Sequence, residues 1–156
     1  MISVVIATQD DGETLGQTLA SLVPAAVDGL VREVILADAG STDDTLAIAE
    51  DAGARVVQGE GAAEARLREG CKAGRAEWLL ILEASTSAPH GWEAAARRHI
   101  ERHGGRAACW GRGGLAPFAT PAKALLVPRR LFDKESAAPG WLRRLGGKAT
   151  ALKIAR

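Results

Sequence analysis

An α/β domain organised around a mostly parallel central sheet is the fold class this sequence predicts, on three observations. Short continuous apolar runs alternate with segments whose apolar residues recur at spacings of three and four. The runs are rich in β-branched residues, as strands buried on both faces are. The connections between them carry Gly, Asp, Ser and Thr, the residues of tight turns from strand to helix. A length of 156 residues suits one such domain, 1–156, with a front half over 1–104 and a shorter, basic half over 105–156.

The elements follow in order. Ile2-Ser3-Val4-Val5-Ile6-Ala7 is the first strand, and Asp10-Asp11-Gly12-Glu13 opens a helix with Leu15, Leu19, Leu22 and Val23 on its apolar stripe. Val34-Ile35-Leu36-Ala37 reads as the second strand. Ser41 or Thr42 is expected to cap the next helix, with Asp43 and Asp44 in its positive first turn, Ser41 and Asp44 forming a capping box, and Gly53 closing the helix. Ala54-Arg55-Val56-Val57 is a third strand, 62–73 an alanine-rich helix, Trp78-Leu79-Leu80-Ile81-Leu82 a fourth strand and Pro89 to His103 a further helix. Ala124-Leu125-Leu126-Val127 reads as a strand closed by Pro128, and Arg129 to Lys134 as a helical turn or two. Trp141-Leu142-Arg143-Arg144-Leu145 has one apolar and one basic edge but is too short to stand alone as a helix, so the last third is expected to be an irregular extension.

The formal charge of +1 argues against a dedicated nucleic-acid binder, yet it hides a polarity. Through Glu101 there are 17 acidic and 8 basic residues, a net of −9; from Arg102 onward there are 2 acidic and 12 basic, a net of +10. The basic segment either packs on the acidic one or attracts an anionic ligand. Cys71 and Cys109 are too few for a disulfide framework and read as reduced thiols, Cys109 as a packed one. The apolar run after Met1 is too short for a secretory signal, and no stretch approaches the ~20 apolar residues of a bilayer span. The expectation is a cytoplasmic protein. Contact with the inner face of a membrane stays open, because the tail from Pro139 has five basic residues, no acid, and Trp141, Leu142 and Leu145 as apolar anchors.

In a parallel α/β sheet the ligand site lies at the carboxyl ends of the strands. There stand Thr8, Gln9, Asp10 and Asp11; then Asp38-Ala39-Gly40-Ser41-Thr42-Asp43-Asp44; then Glu83-Ala84-Ser85-Thr86. An Asp at a strand end suits the hydroxyls of a ribose, and Gly40 lets backbone approach a ligand closely. By local chemistry alone, the same turn also reads as a tight loop with a good helix cap. His99 and His103 lie four apart but lack the H-E-x-x-H form, and read as an ordinary polar helix face.

The order of these features resembles the family-two glycosyltransferases of the GT-A fold. The resemblance rests on Ile2 to Thr8, on Glu33-Val34-Ile35-Leu36-Ala37-Asp38-Ala39-Gly40-Ser41-Thr42-Asp43-Asp44-Thr45, on Ala52 to Val57 and on Glu77 to Leu82, with a weaker echo in Leu125 to Asp133. It implies a Rossmann-like, three-layer domain whose front half binds a nucleotide-diphosphate sugar and whose second half faces a hydroxyl acceptor. It places nucleotide contacts at Ala7, Thr8, Gln9, Asp10 and Asp38, with Gly40, Ser41 and Asp43 shaping the pocket, and implies transfer with inversion.

Departures from the family pattern bear on the chemistry. The family's Asp-x-Asp, which holds Mg²⁺ or Mn²⁺ on the donor diphosphate, aligns with Glu83-Ala84-Ser85, so the metal positions are Glu83 and Ser85 and the site is expected to be weak or absent. The Glu-Asp pair that supplies the family's base aligns with Ser136 to Trp141, which leaves Asp133 and Glu135 as substitute bases. Arg129, Arg130, Arg143 and Arg144 are candidates to offset a missing cation. Arg66 and Arg68 either face the diphosphate or lie on a solvated helix face. A lipid-linked acceptor would suit the basic tail, and a catalytically inactive relative that keeps nucleotide binding is the alternative.

Overall fold

The computed structural model describes residues 1–110 and 123–154. Its strands are β1 (Ile2–Thr8), β2 (Val31–Asp38), β3 (Arg55–Gln58), β4 (Trp78–Glu83), β5 (Ala108–Trp110), β6 (Ala124–Pro128) and β7 (Thr150–Ala151). The helices are α1 (Gly12–Val27), α2 (Thr45–Asp51), α3 (Ala63–Ala73), α4 (Trp92–His103), α5 (Arg129–Glu135) and α6 (Trp141–Lys148). The strands form one sheet in the order β3-β2-β1-β4-β6-β5-β7. β1, β2, β3 and β4 are mutually parallel, β6 runs antiparallel to β4 and β5, and β7 is parallel to β5. The sheet is thus mostly parallel, as predicted, with β6 as its antiparallel strand.

The continuous apolar runs divide by alternation between two cores. Ile2, Val4 and Ile6 of β1, with Leu80 and Leu82 of β4, meet Leu15, Leu19 and Leu22 of α1 and Trp92, Ala95 and Ala96 of α4. Val5 of β1, with Leu79 and Ile81 of β4, faces the other way, onto Leu67 and Cys71 of α3, Phe132 of α5 and Trp141 and Leu145 of α6. Two helical layers therefore sandwich the sheet. Val23 is 55% exposed, and the stripe of α1 runs instead through Thr18 and Ala25, which lie nearer the line of Leu15 and Leu22 on a helix of 3.6 residues per turn.

Over the described residues 123–154 the last third is not an irregular extension. Trp141 and Leu145, four residues apart and so on one helix face, are fully buried, and Trp141 meets the edge of Phe132 with ring centroids 5.3 Å apart. Packing supplies what length could not. It also removes Trp141 and Leu145 from the surface, so two of the three apolar anchors expected for membrane contact are spent inside the protein, and Leu142 is half-buried. Among the described residues no helix is long and apolar enough to cross a membrane.

Candidate functional site

The parallel register brings the ends of the first four strands into line. Thr8 pairs with Asp38, Asp38 with Gln58, and Ala7 with Glu83. The carboxyl edge of this part of the sheet is a row of polar residues from which four turns project, the place where open α/β sheets take ligands.

Asp38 holds two of these turns together. It is fully buried, and each carboxylate oxygen accepts two hydrogen bonds. Oδ1 accepts from the Thr8 hydroxyl at 2.8 Å and the Ser41 hydroxyl at 2.5 Å; Oδ2 accepts from the amides of Gly40 at 2.7 Å and Ser41 at 2.8 Å. Burial alone would raise this carboxyl, but the Ser41 hydroxyl and amide, the Thr8 hydroxyl and the Gly40 amide outweigh it and hold the group below its ordinary value. Gly40 sits at φ +85°, a backbone conformation that costs glycine nothing. Four acceptor positions of Asp38 are thus engaged inside the protein.

The remaining bonds cross between the first and second turns in both directions. The Asp10 amide donates to Ser41 Oγ at 2.9 Å, the Asp11 amide to Thr45 Oγ1 at 2.9 Å and the Gly12 amide to Asp43 Oδ2 at 2.9 Å. In return Asp10, at φ +53°, accepts the amides of Thr42 at 2.7 Å and Asp43 at 3.3 Å. A Cβ on Gly12 would stand 2.9 Å from the Asp43 carboxylate, which would have to shift to admit it.

The expected capping box is absent. Ser41 turns back to Asp38, and Asp44, at the N-cap of α2, makes no side-chain cap bond. Asp43 takes that role, accepting the Thr45 amide at 3.0 Å together with the Thr45 hydroxyl. Those two donors and the Gly12 amide hold the Asp43 carboxyl below its usual range. Around this scaffold Ala7 and Ala39 are half-buried, while Gln9, Asp10, Gly40 and Thr42 are exposed at the opening.

The fourth turn is also fixed by backbone contacts. The Glu83 amide donates to Lys123 O at 3.2 Å, the Thr86 amide to Glu83 O at 3.0 Å, and the Thr18 hydroxyl of α1 to Ala84 O at 2.7 Å. Glu83 and Ser85 are exposed. One carboxylate beside one hydroxyl is a poor donor set for a hard divalent cation, and among the described residues no group of three or more His, Cys, Asp or Glu side chains is placed to hold a metal. His99 is engaged otherwise: its Nε2 lies 2.8 Å from Arg106 O, and its ring packs against Trp78 and His103.

Two of the basic residues expected to meet a diphosphate, Arg129 and Arg130, lie at the other edge. β6 runs antiparallel to β4, with Pro128 opposite Trp78, so α5 begins at the amino edge of the sheet. There Arg129 donates to Ala76 O at 2.8 Å, Gly74 O at 2.7 Å and Cys71 O at 3.2 Å, capping the carboxyl end of α3. Arg130 donates to Gly104 O at 2.7 Å, beyond the end of α4. Arg144 binds the carbonyls of Pro139, Glu135 and Ala138, bracing the turn between α5 and α6. Arg143 is exposed.

The substitute bases fare differently. Asp133 is exposed on α5. Glu135 pairs with Lys148 at 3.2 Å and Arg144 at 3.5 Å; the hydrogen bond from Lys148 is the main cause that holds its carboxyl low, which makes it a weaker proton acceptor.

Arg66 does not lie on a solvated face. It is 8% exposed, with Nη1 2.5 Å from Gly61 O. The signal for its burial is Gly70, four residues on and on the same face, where a Cβ would stand 2.7 Å from Val5 Cγ1. A helix that presses so closely on the sheet through Gly70 carries Arg66 inward with it.

Residues 3–114 match the family model described as glycosyl transferase family 2. Over 81 residues the chain is 49% identical to a glucosyl-3-phosphoglycerate synthase of Mycolicibacterium paratuberculosis, a match covering 51% of this chain and 24% of that protein. Over 85 residues it is 45% identical to the Mycobacterium tuberculosis synthase, covering 54% and 25%. The match spans about a quarter of the length of these relatives. Among solved structures, the M. tuberculosis synthase in complex with Mn²⁺ and uridine-diphosphate-glucose superposes with a TM-score of 0.75 at 23% identity, over 99% of this chain and 70% of that one. S. aureus TarS 1-349 gives 0.71 at 19% identity, over 85% and 48%. The fold is the Rossmann-like GT-A fold, three-layered with a mixed, mostly parallel sheet.

Proposed function

Because this chain belongs to glycosyl transferase family 2, we propose that its carboxyl edge binds a nucleotide-diphosphate sugar and that the protein transfers the sugar to a hydroxyl acceptor. The observation that carries this reading is the Thr8–Asp38–Ser41 lock, which fixes the first two turns against each other beside an opening lined by Ala7, Gln9, Ala39 and Gly40. A preorganised loop pair loses little freedom when a ligand arrives, so binding energy is not spent on ordering it. In this reading the exposed Gln9, Asp10 and Gly40, with Thr8 and Ser41 behind them, form the nucleotide side; Asp38 and Asp43 hold their shape.

Uridine-diphosphate-glucose is the donor we favour, because it is the one bound by the synthase that shares this fold. In a single displacement the acceptor oxygen attacks the anomeric carbon while the bond to the diphosphate breaks, which inverts that centre. Glu83 is the acid of this reading nearest the diphosphate, but with Ser85 beside it the pair does not fit Mn²⁺ or Mg²⁺, and no step is assigned to a metal there. Asp133 is the freer of the two candidate bases, since Glu135 is held by two cations. The pairing of Glu135 favours a second reading, a nucleotide-binding module without turnover. A soluble phosphorylated hydroxy acid, as in the synthase complexes that contain phosphoglyceric acid, is preferred as acceptor to a lipid-linked one, because Trp141 and Leu145 are buried.

Calorimetric titration with UDP, GDP and dTDP, each with and without Mn²⁺, tests the reading. Saturable binding of one of them is expected; no binding to any would overturn it. Release of UDP from UDP-glucose in the presence of 3-phosphoglycerate then separates transferase from binding module.

A further inference from the structure

One cation near this edge is buried in α3. Arg66 is more than nine-tenths buried, its Nε has no hydrogen-bond partner, and it makes no ion pair among the described residues. Among the described residues its side chain makes one bond, from Nη1 to the carbonyl of Gly61, and the rest of the fork is unengaged. A guanidinium taken out of water without a carboxylate is unfavourable unless something else repays it. Local structure does not, since Gly61 is exposed and its carbonyl has water as an alternative.

Position gives the reason for keeping it. α3 starts at the carboxyl edge, and its Gly70 lies on Val5 of β1 and Ala37 of β2, so Arg66 stands one turn nearer the ligand edge on the same face. The Arg66 stem runs along Gly59, where a Cβ would be 3.5 Å from its Cγ. The Gly59 amide donates to Asp38 O at 3.0 Å, so the third turn and Arg66 adjoin the second turn directly. The turns of this edge carry the acids Asp10, Asp11, Asp43, Glu60 and Glu83, with the exposed Lys123 beside Glu83 at the fourth turn. Such a set of acids repels a diphosphate unless a cation stands behind it.

We propose that Arg66 is the anion anchor of this site, donating from Nε and Nη2 to phosphoryl oxygens of the nucleotide diphosphate. The proposal rests on the nucleotide-sugar reading and adds to it the residue that recognises the phosphate part. Because the guanidinium is held for a ligand and not for the fold, removing its charge relieves the empty protein while weakening the complex.

The test uses the full chain and its Arg66→Met and Arg66→Lys variants, with UDP, UMP and uridine as probes. Melting of each protein without nucleotide is measured beside calorimetric affinity. Arg66→Met is expected to melt at or above the wild-type temperature without nucleotide, and to bind UDP about 10- to 100-fold more weakly, with a smaller loss for UMP and none for uridine. Arg66→Lys should recover part of the UDP affinity. Wild-type affinity retained by Arg66→Met, an equal loss for uridine, or a variant that melts well below wild type would each overturn the proposal. Wild type that binds none of the probes sinks the nucleotide reading as well; wild type that binds, with Arg66→Met unchanged, sinks only the anchor.

Discussion

Thr8 Oγ1 donates to Asp38 Oδ1 at 2.8 Å across the paired ends of β1 and β2, and both residues are buried. This contact makes the first two turns one rigid body. Asp38→Asn replaces an acceptor with a donor that faces other donors, leaving buried groups unsatisfied. The expected cost is about 3 kcal/mol of unfolding free energy, read by denaturant titration, with nucleotide binding lost alongside it. Thr8→Val, which removes one donor and keeps the shape, should cost about 1 kcal/mol.

Stability should fall on the acid side. Asp38, Asp43, Glu33 and Glu135 all have carboxyls held below their ordinary values in the folded protein. The unfolded chain therefore binds more protons once pH drops into the unfolded carboxylate range, about 4 to 4.5. Stability is full above that range and declines as pH falls through the lower native values. The Asp38→Asn variant should show a shallower acid limb in urea midpoints measured across pH.

The alkaline limb has its own source. Burial pushes the Cys71 thiol up to about 12, against the opposing charge of Arg129. A raised native value stabilises the fold below the unfolded thiol's pKa of about 8.5 and is lost as pH rises toward the native one. Cys71→Ala should flatten the decline above pH 9, seen as a melting temperature that changes less with pH.

Arg129→Met tests the placement of the basic segment. Three carbonyls at the end of α3 lose their donor, so the expected destabilisation is about 2 to 3 kcal/mol. Nucleotide affinity should stay within twofold of wild type, because Arg129 lies at the opposite edge of the sheet from the turns. A large loss of UDP affinity in a folded Arg129→Met protein would contradict that placement.

Gly70→Ala should destabilise by about 1 to 3 kcal/mol, since the added methyl would lie 2.7 Å from Val5 Cγ1 and 3.3 Å from Ala37 Cβ. Thermal melting reads the effect directly.

The front of the fold was legible because its strands are continuous apolar runs, such as Val4-Val5-Ile6 and Leu79-Leu80-Ile81, that no helix stripe imitates. β5 and β7 were not: Ala108-Cys109-Trp110 and Thr150-Ala151 are short, and their pairing depends on β6. The Trp141 helix owes its existence to docking on Phe132, which local sequence does not show. At the site, the turn residues stood out by chemistry, but their division of labour did not. That Asp38 is bonded by Thr8, thirty positions away, is set by the strand pairing. Arg66 sits among Glu, Ala and Arg in a helix that looks solvated on composition, and only the contact at Gly70 turns it inward.

The strand order has a consequence for how the chain is made. β6 sits between β4 and β5, so β5 has no neighbour in the sheet until β6 arrives, and β4 keeps an open edge until residue 128 has been synthesised. That edge is Trp78-Leu79-Leu80-Ile81-Leu82, a run of β-forming apolar residues with unpaired backbone groups, the kind of template on which nascent chains pair wrongly. Chains halted on the ribosome near residue 104 are expected to aggregate or to recruit chaperones, and chains halted far enough beyond residue 128 for β6 to emerge to be released from them. Closing the sheet is thus a late event in biogenesis, carried by the same segment whose arginines cap the helices of the front half.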